Sequence, residues 1–572
     1  MIAIRLHIFV SATRHVAGSS VLLLRLAAFH LSPLLLHLSY FVAVDLLGFL
    51  SLLLLRPAAA GNAAAAARRR RPRYVDMLFL STSAVTVTGL ATVRMEDLSA
   101  SQLVVLTLQM LMGSEMFVSL LGLALELLRD KRELLRRDRH DDVDGGRARS
   151  SSSVVVVCDE PDDGNRDEEA SAPAPPPSSS AAAAAEGSDD RWRKSRSLRC
   201  LALVLLAYMA VVTLLGSVLV FAYVDGVQSA RDVLARKRIG AALFSAAATV
   251  SSFTNGGLLP TNESMAVFAA DRGLLLLLAG QVLAGSTLLP VFLWLAVRAA
   301  RGVTRVFAAA AGRRRHEHDD ELEFMERSAM AAGFGYLLPG SQTAVLAATV
   351  VSLAAAAAVL FCSLDWDSAV FAGLAAGDKV ANAVFMAVNA RQAGENSVDC
   401  SLVAPAVLVL FVAMMFVELP RSPCSCIPAS ATLFSVHRDD DDGGGGGETA
   451  ERKDGAPKKR RLTLNSMVLS PLACNAAVTM VVCITERKSL ADDPHNFSTF
   501  NMIFEVISAY GNVGLSTGYS CSRLLRPPPA TGGCHDQPYS FSGWWSDQGK
   551  LVLVIVMLYG RLKGFHRQSN RR

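Results

Sequence analysis

The chain has 572 residues, with 56 Lys+Arg against 51 Asp+Glu, a formal charge of +5 and a pI near 8.7, too even a balance for a nucleic-acid binder. Its 51% hydrophobic and 19% charged content, at a mean hydropathy of +0.34, falls below the roughly 25% charge of soluble domains and excludes a single soluble globular domain. Ten cysteines spread from Cys158 to Cys534 without a framework spacing exclude a disulfide-stapled secreted scaffold. The charge is segregated into short clusters between apolar runs of membrane-spanning length, which predicts an all-α polytopic membrane protein.

In chain order, Arg5, Arg14, His15 and Arg25 interrupt the first thirty residues, so a cleaved signal peptide is not expected. Spans are predicted at Leu34–Leu55, Gln102–Leu128, Leu201–Val224, Gly273–Val297 and Thr343–Cys362, each able to cross roughly 30 Å of hydrocarbon. Three weaker candidates follow. Ser401–Val417 contains Pro405, Val468–Ile484 contains Pro471 and Asn475, and Trp544–Leu562 carries Lys550 and Arg561. Two long polar stretches, Arg129 to Arg196 and Arg421 to Arg461, bury too little apolar surface to fold and read as flexible linkers. Most basic clusters fall on one side when the spans are taken in order, which makes that side cytoplasmic and puts both termini there. RRRRPR from Arg68 to Arg73 and the basic run Arg236 to Arg238 fall on the other side and conflict with this orientation.

Between the spans lie four short loops rich in Ser, Thr, Gly and Asn: STSAVTVTGLATV, AAATVSSFTNGGLLPTNE, AVNARQAGENSV and ISAYGNVGLSTGYS. Each holds a helix-compatible run ending at a glycine, Gly89, Gly257, Gly394 and Gly514. Backbone that enters and leaves a bilayer by one face is tolerated only in protein or beside a water-filled cavity, so four such loops predict a central pore. Carbonyl dipoles can ligate a dehydrated alkali cation without binding it too tightly to release, and glycine permits positive φ and close approach at an axis. TVGYG is absent, so fewer carbonyl layers and looser discrimination are expected.

Six strings resemble the plant high-affinity potassium transporter (HKT) branch of the Trk/Ktr/HKT superfamily: YVDMLFLSTSAVTVTGLATVRMEDLS, LFSAAATVSSFTNGGLLPTNESM, GQVLAGSTLLPVFLW, VNARQAGENSVDCSLVAPAVLVLFV, FEVISAYGNVGLSTGYSC and GKLVLVIVMLYGRLKGF. The resemblance implies four helix-pore loop-helix repeats around one pore, Na⁺ permeation with K⁺ in some members, plasma-membrane residence and a homodimer. It makes the three weaker spans real ones and divides the chain as follows. Residues 1–33 are a cytoplasmic segment, 34–128 the first unit, 129–197 a flexible linker, 198–310 the second unit and 311–342 a cytoplasmic connection. Residues 343–420 form the third unit, 421–463 a second linker, 464–563 the fourth unit and 564–572 the tail. By family position the ion selectivity filter falls at Gly89, Gly257, Gly394 and Gly514. Glycine at the first position resembles the Na⁺- and K⁺-transporting group, serine there the Na⁺-selective one. Asn-Gly-Gly-Leu in the second loop and RQAGE in the third depart from the commoner Asn-Cys-Gly-Phe and RHTGE.

Charges within the spans should face a cavity or a partner. Lys550 and Arg561 lie about three turns apart on one helix face. The family places basic residues at matching positions, which implies a pair between Lys550 and Glu505 and puts Arg561 near the pore below the filter; Arg561 otherwise begins the cytoplasmic tail. Glu115 is expected to make an inter-helix hydrogen bond and Asp45 to be neutral and structural or a peculiarity of this sequence. Glu263 and Glu395 either concentrate cations at the outer mouth or complement helix dipoles. Cys521 and Cys534 share an outer loop and could form a disulfide, and Asn496 in Asn-Phe-Ser reads as a glycosylation site on the same side. Neither Cys424 with Cys426 nor the HEHDD run from His316 has a second ligand pair, so no metal beyond Na⁺ and K⁺ in the filter and no cofactor are expected. No nucleotide loop, triad or HExxH is present, which argues against an enzyme. The reading is a cation transporter with channel-like or symport permeation through the lipid bilayer, against a Na⁺-selective uniporter or a non-conducting homologue of the same fold.

Overall fold

The computed structural model describes residues 33–55, 72–125, 127, 179–285, 287–310, 340–416, 471–523 and 537–569, which are helical with no strand among them. The chain divides into two compact units. One comprises Met1–Ser114, Gly216–Leu288 and Ala344–Ser569, and the other Glu115–Leu215, Leu289–Thr343 and Asn570–Arg572.

The helices in chain order are α1 (Pro33–Leu54), α2 (Tyr74–Val85), α3 (Ala100–Gly113), α4 (Glu115–Leu125), α5 (Ser179–Gly226), α6 (Gln228–Lys237), α7 (Ala241–Thr254) and α8 (Arg272–Gly285). After them come α9 (Leu289–Ala310), α10 (Gly340–Asp365), α11 (Ala376–Asn389), α12 (Pro405–Phe416), α13 (Pro471–Thr485), α14 (Arg487–Asp492), α15 (Thr499–Gly511) and α16 (Asp547–Ser569). An outer helix, a short helix of 12 to 14 residues, an irregular stretch and an inner helix recur four times, with α2, α7, α11 and α15 as the short helices. The two prolines that weakened the sequence reading cause no break. Pro405 and Pro471 each stand at the first helical position, where the missing N–H is not needed and the fixed φ suits the helix.

Among the described residues three helices, Leu35–Leu54, Arg196–Gly226 and Gly340–Asp365, are long and apolar enough to span a bilayer. Their outward residues are apolar and exposed, among them Leu46, Leu54, Leu203, Leu214, Val351 and Val359, as a lipid-facing surface requires. Two expected spans are corrected. Gln102–Leu128 is interrupted between α3 and α4 at Ser114, and Gly273–Val297 between α8 and α9. The first linker is shorter than its composition suggested, because α5 begins at Ser179 and includes the last residues assigned to it. Residues 1–32 and 421–463 lie outside the described residues.

Within the first unit the cores interlock in chain order. Leu80, Leu103 and Met110 of the first repeat pack with Val250 and Leu258 of the second. Phe244 and Leu278 of the second pack with Phe385 of the third. Phe411 and Met386 of the third pack with Phe504, Val513 and Leu515 of the fourth. Met502 and Leu553 of the fourth pack with Phe79 and Leu90 of the first, which closes the cycle. Each short helix is thereby wedged between two repeats and held at the centre of this unit.

Candidate functional site

Each short helix ends three to five residues before a glycine, Val85 before Gly89, Thr254 before Gly257, Asn389 before Gly394 and Gly511 before Gly514. Every end is closed by the same backbone bond across five residues: Thr88 N–H to Ser83 O at 2.8 Å, Gly256 to Ser251 at 2.7 Å, Gly394 to Asn389 at 3.1 Å and Val513 to Ser508 at 3.0 Å. This is the six-to-one closure of a helix C-terminus, which forces the next residues out of helical geometry. In three loops the residue two before the glycine is left-handed: Val87 at φ 57°, Asn255 at 60° and Asn512 at 52°. Asparagine tolerates that region, whereas a β-branched valine is held there only by its surroundings. The third loop does otherwise. Its helix ends five residues before the glycine and the closure falls on Gly394 itself, so RQAGE sits one position out of step with the other three.

The four glycines have positive φ, 90° at Gly89, 69° at Gly257, 60° at Gly394 and 96° at Gly514, and they meet in a ring. A Cβ on Gly89 would stand 2.9 Å from Gly257 Cα; on Gly257 it would strike the Ala393 carbonyl. On Gly394 it would lie 2.6 Å from Gly514 C, and on Gly514 3.0 Å from Gly89 Cα. Backbone, not side chains, therefore lines the approach, and the carbonyl ends of four helix dipoles converge on it. That arrangement suits a cation.

Polar ties hold adjacent loops together. Asn512 Nδ2 donates to Thr88 Oγ1 at 2.8 Å, joining the fourth loop to the first, and Asn255 Nδ2 donates to Gln392 Oε1 at 3.3 Å, joining the second to the third. Glu395 is fully buried, with Ser251 Oγ donating to its Oε1 at 3.0 Å and Ser252 Oγ to its Oε2 at 2.9 Å. The expectation of an outer-mouth acid fails for Glu395, because these hydroxyls hold its carboxyl inward. Glu263 is exposed at the loop end, but its carboxylate is shared with Lys237 Nζ at 2.5 Å, which also reaches Glu96 at 2.6 Å. Partial burial works against the Lys237 ammonium, yet the bonds and charges of Glu263 and Glu96 outweigh it and leave its pKa above the ordinary lysine value.

The expected pair of Lys550 with Glu505 is also corrected. Lys550 Nζ lies 2.7 Å from Asp76 Oδ1 on α2, while the fully buried Glu505 accepts the Ser542 backbone N–H at 2.9 Å. Arg561 donates to the Gly113 carbonyl at 2.6 Å, at the end of α3. Asn496 cannot carry a glycan in this fold. It is fully buried, and its amide donates to Asp493 Oδ2 at 2.9 Å and to the Ser520 carbonyl at 3.0 Å. Cys521 is disulfide-bonded, while Cys534, like Cys424, Cys426 and His316, lies outside the described residues.

With this geometry in hand, residues 182–568 match the family model for TrkH, a cation transport protein. The cation transporter HKT2;4 of Oryza sativa subsp. japonica is 52% identical over 99% of this chain and 99% of its own length. The chain belongs to the TrkH family. The probable cation transporter HKT2;3 of the same plant is 50% identical over 99% of each chain, and the sodium transporter HKT1 of Arabidopsis thaliana 34% identical over 88% of each. The potassium transporter TrkH from Vibrio parahaemolyticus aligns at 14% identity and a TM-score of 0.42 over 93% of this chain and 83% of its own, too loose a likeness to argue from. TrkH family membership makes the chain a multi-pass membrane protein of a transport family rather than an enzyme.

Sequence reasoning about this TrkH-family chain missed Asp76, Lys237, Glu96, Ser251 and Ser252. Asp76 had a readable signal, a lone acid in the apolar run YVDMLFL, which calls for a partner. The others belong to polar stretches whose pairings are set only when distant repeats meet.

Proposed function

We propose that this protein carries Na⁺ and K⁺ across the plasma membrane through the ring of Gly89, Gly257, Gly394 and Gly514, driven by ion gradients and membrane potential, with both termini cytoplasmic and as a homodimer. The carrying observation is the mutual approach of four positive-φ glycines, each following the C-terminal end of a short helix. Uncharged carbonyls at such a ring bind a monovalent cation and let it go, and the helix ends add a favourable potential. The names of the relatives, cation and sodium transporters, agree with this substrate class. Glycine at the first position, rather than serine, favours K⁺ alongside Na⁺, because nothing projects from that quarter of the ring.

The test is Gly89→Ser. The added Cβ would stand 2.9 Å from Gly257 Cα and 3.1 Å from the Gly256 carbonyl, at a φ that serine rarely adopts. The ring must shift, and an ion that depends on all four carbonyls loses more than a smaller one that can use the hydroxyl. At matched surface expression, replacing external Na⁺ by K⁺ should move the reversal potential of the variant away from the wild-type value, towards Na⁺ preference. A wild type that ignores K⁺ would instead mark a Na⁺-selective uniporter, and one without current a non-conducting homologue.

A further inference from the structure

Asp45 lies midway along α1, in YFVAVDLLGFL, and is 5% exposed. Its surroundings decide its charge. Thr82 Oγ1, on the first short helix, lies 2.8 Å from Asp45 Oδ2 and 2.9 Å from the Leu78 carbonyl. A hydroxyl has one proton to give. As a carboxylate, Asp45 would take that one proton and still carry a full negative charge in a buried site, with Oδ1 unpartnered. If Asp45 carries a proton on Oδ2, it donates to Thr82, Thr82 donates to Leu78, and the buried carboxyl needs no countercharge.

The remaining neighbours supply no countercharge. Ser81 Oγ donates to the Asp45 backbone carbonyl at 2.8 Å, and Gln109 Nε2 donates to Ser81 Oγ at 2.9 Å, both neutral groups. Asp45 Oδ1 and Gln109 Oε1 are buried without a hydrogen-bond partner. On α2, Asp76 is engaged with Lys550, and Tyr74 is exposed. Helix α3 carries no titratable residue. On α16, Lys550 is held by Asp76, Arg561 donates to Gly113, Lys563 sits 3.6 Å over the Tyr510 ring, Tyr559 packs on Tyr510 and Asp547 pairs with Arg73. On α1 itself Tyr40 donates to the Met112 carbonyl, and His37 stands eight positions earlier, more than two turns along the helix. A carboxylate here would be an uncompensated charge in hydrocarbon surroundings, which proteins avoid by keeping the proton.

We propose that Asp45 is a buried proton site: it holds its proton at neutral pH and donates it to Thr82, tying the first outer helix to the short helix that leads to Gly89. The assignment is independent of what the glycine ring conducts. The full chain in lipid bilayers, with carboxyl-labelled aspartate, should show by infrared spectroscopy at pH 7 the carbonyl band of a protonated acid, absent from Asp45→Asn. Thr82→Val should move that band without abolishing it, because only the acceptor of its proton is lost; this arm reads out even if Asp45→Asn fails to fold. Asp45→Asn should keep the wild-type thermal midpoint, since the neutral amide can still donate to Thr82, whereas Asp45→Ala should lower it. A label that shows only carboxylate absorption at pH 7 overturns the proposal, and so does a band insensitive to Thr82→Val. A large drop in midpoint for a folded Asp45→Asn does too, since it would point to a charged Asp45 neutralised by a bound cation.

Discussion

Lys550 and Asp76 form an ion pair with side-chain exposures of 5% and 12%, far from water that could solvate either alone. In such a pair the attraction roughly repays desolvation, so its net worth is small, but removing one partner strands the other. Asp76→Asn or Lys550→Met alone should cost about 3–5 kcal/mol. The double variant should recover most of that loss, read as the thermal midpoint of purified protein and as surface delivery. Additive losses in the double variant would show that the two residues act separately. Glu505 instead accepts the Ser542 backbone N–H of its own repeat through Oε1.

At the scale of elements, three inner helices press a glycine onto the carbonyl end of a short helix. A Cβ on Gly113 would overlap the Val85 carbonyl, on Gly285 that of Phe253, and on Gly560 that of Tyr510. The first two repeats add a further tie from the same faces. Gln109 fills the space beside Gly48, and Gln281 the space beside Gly216 and Thr249. Gly113→Ala should therefore destabilise by about 1–3 kcal/mol through overpacking and disturb selectivity with it, because Val85 leads directly to the strained Val87 and to Gly89. Gly122→Ala, on α4, meets nothing within 4 Å and should be neutral or stabilise by about 0.5–1 kcal/mol. Thermal melts of the two variants side by side decide the matter. Equal shifts would mean that the α3 approach to α2 is not tight.

At the scale of the molecule, the cyclic packing of four repeats ties the elements that hold the glycines to one another. Sequence composition assigns 129–197 to a linker with too little apolar surface for a core, and α5 takes the part from Ser179 onward. Deleting residues 145–178, and stopping short of α5 at Ser179, should leave cation current per surface-expressed molecule intact. Loss of current at normal surface delivery would overturn that division of the chain.

Hydropathy and short polar motifs were enough to read the helical membrane fold, the fourfold alternation of spans and loops, and the four glycines, because each is written within about 25 consecutive residues. Proline position was legible in principle too, since Pro405 and Pro471 start helices rather than break them. What only the tertiary structure decided is which polar groups meet. Lys550 and Asp76 are separated by 474 positions, Thr88 and Asn512 by 424, and Ser251 and Glu395 by 144. Within hydrocarbon a buried polar group must be matched wherever its partner arrives, and side-chain periodicity carries no record of that arrival. The interruptions at Ser114 and after Gly285 follow the same logic. Their local sequences read as continuous apolar helix, and only the carbonyl ends of α2 and α7, pressed against Gly113 and Gly285, mark where those helices stop.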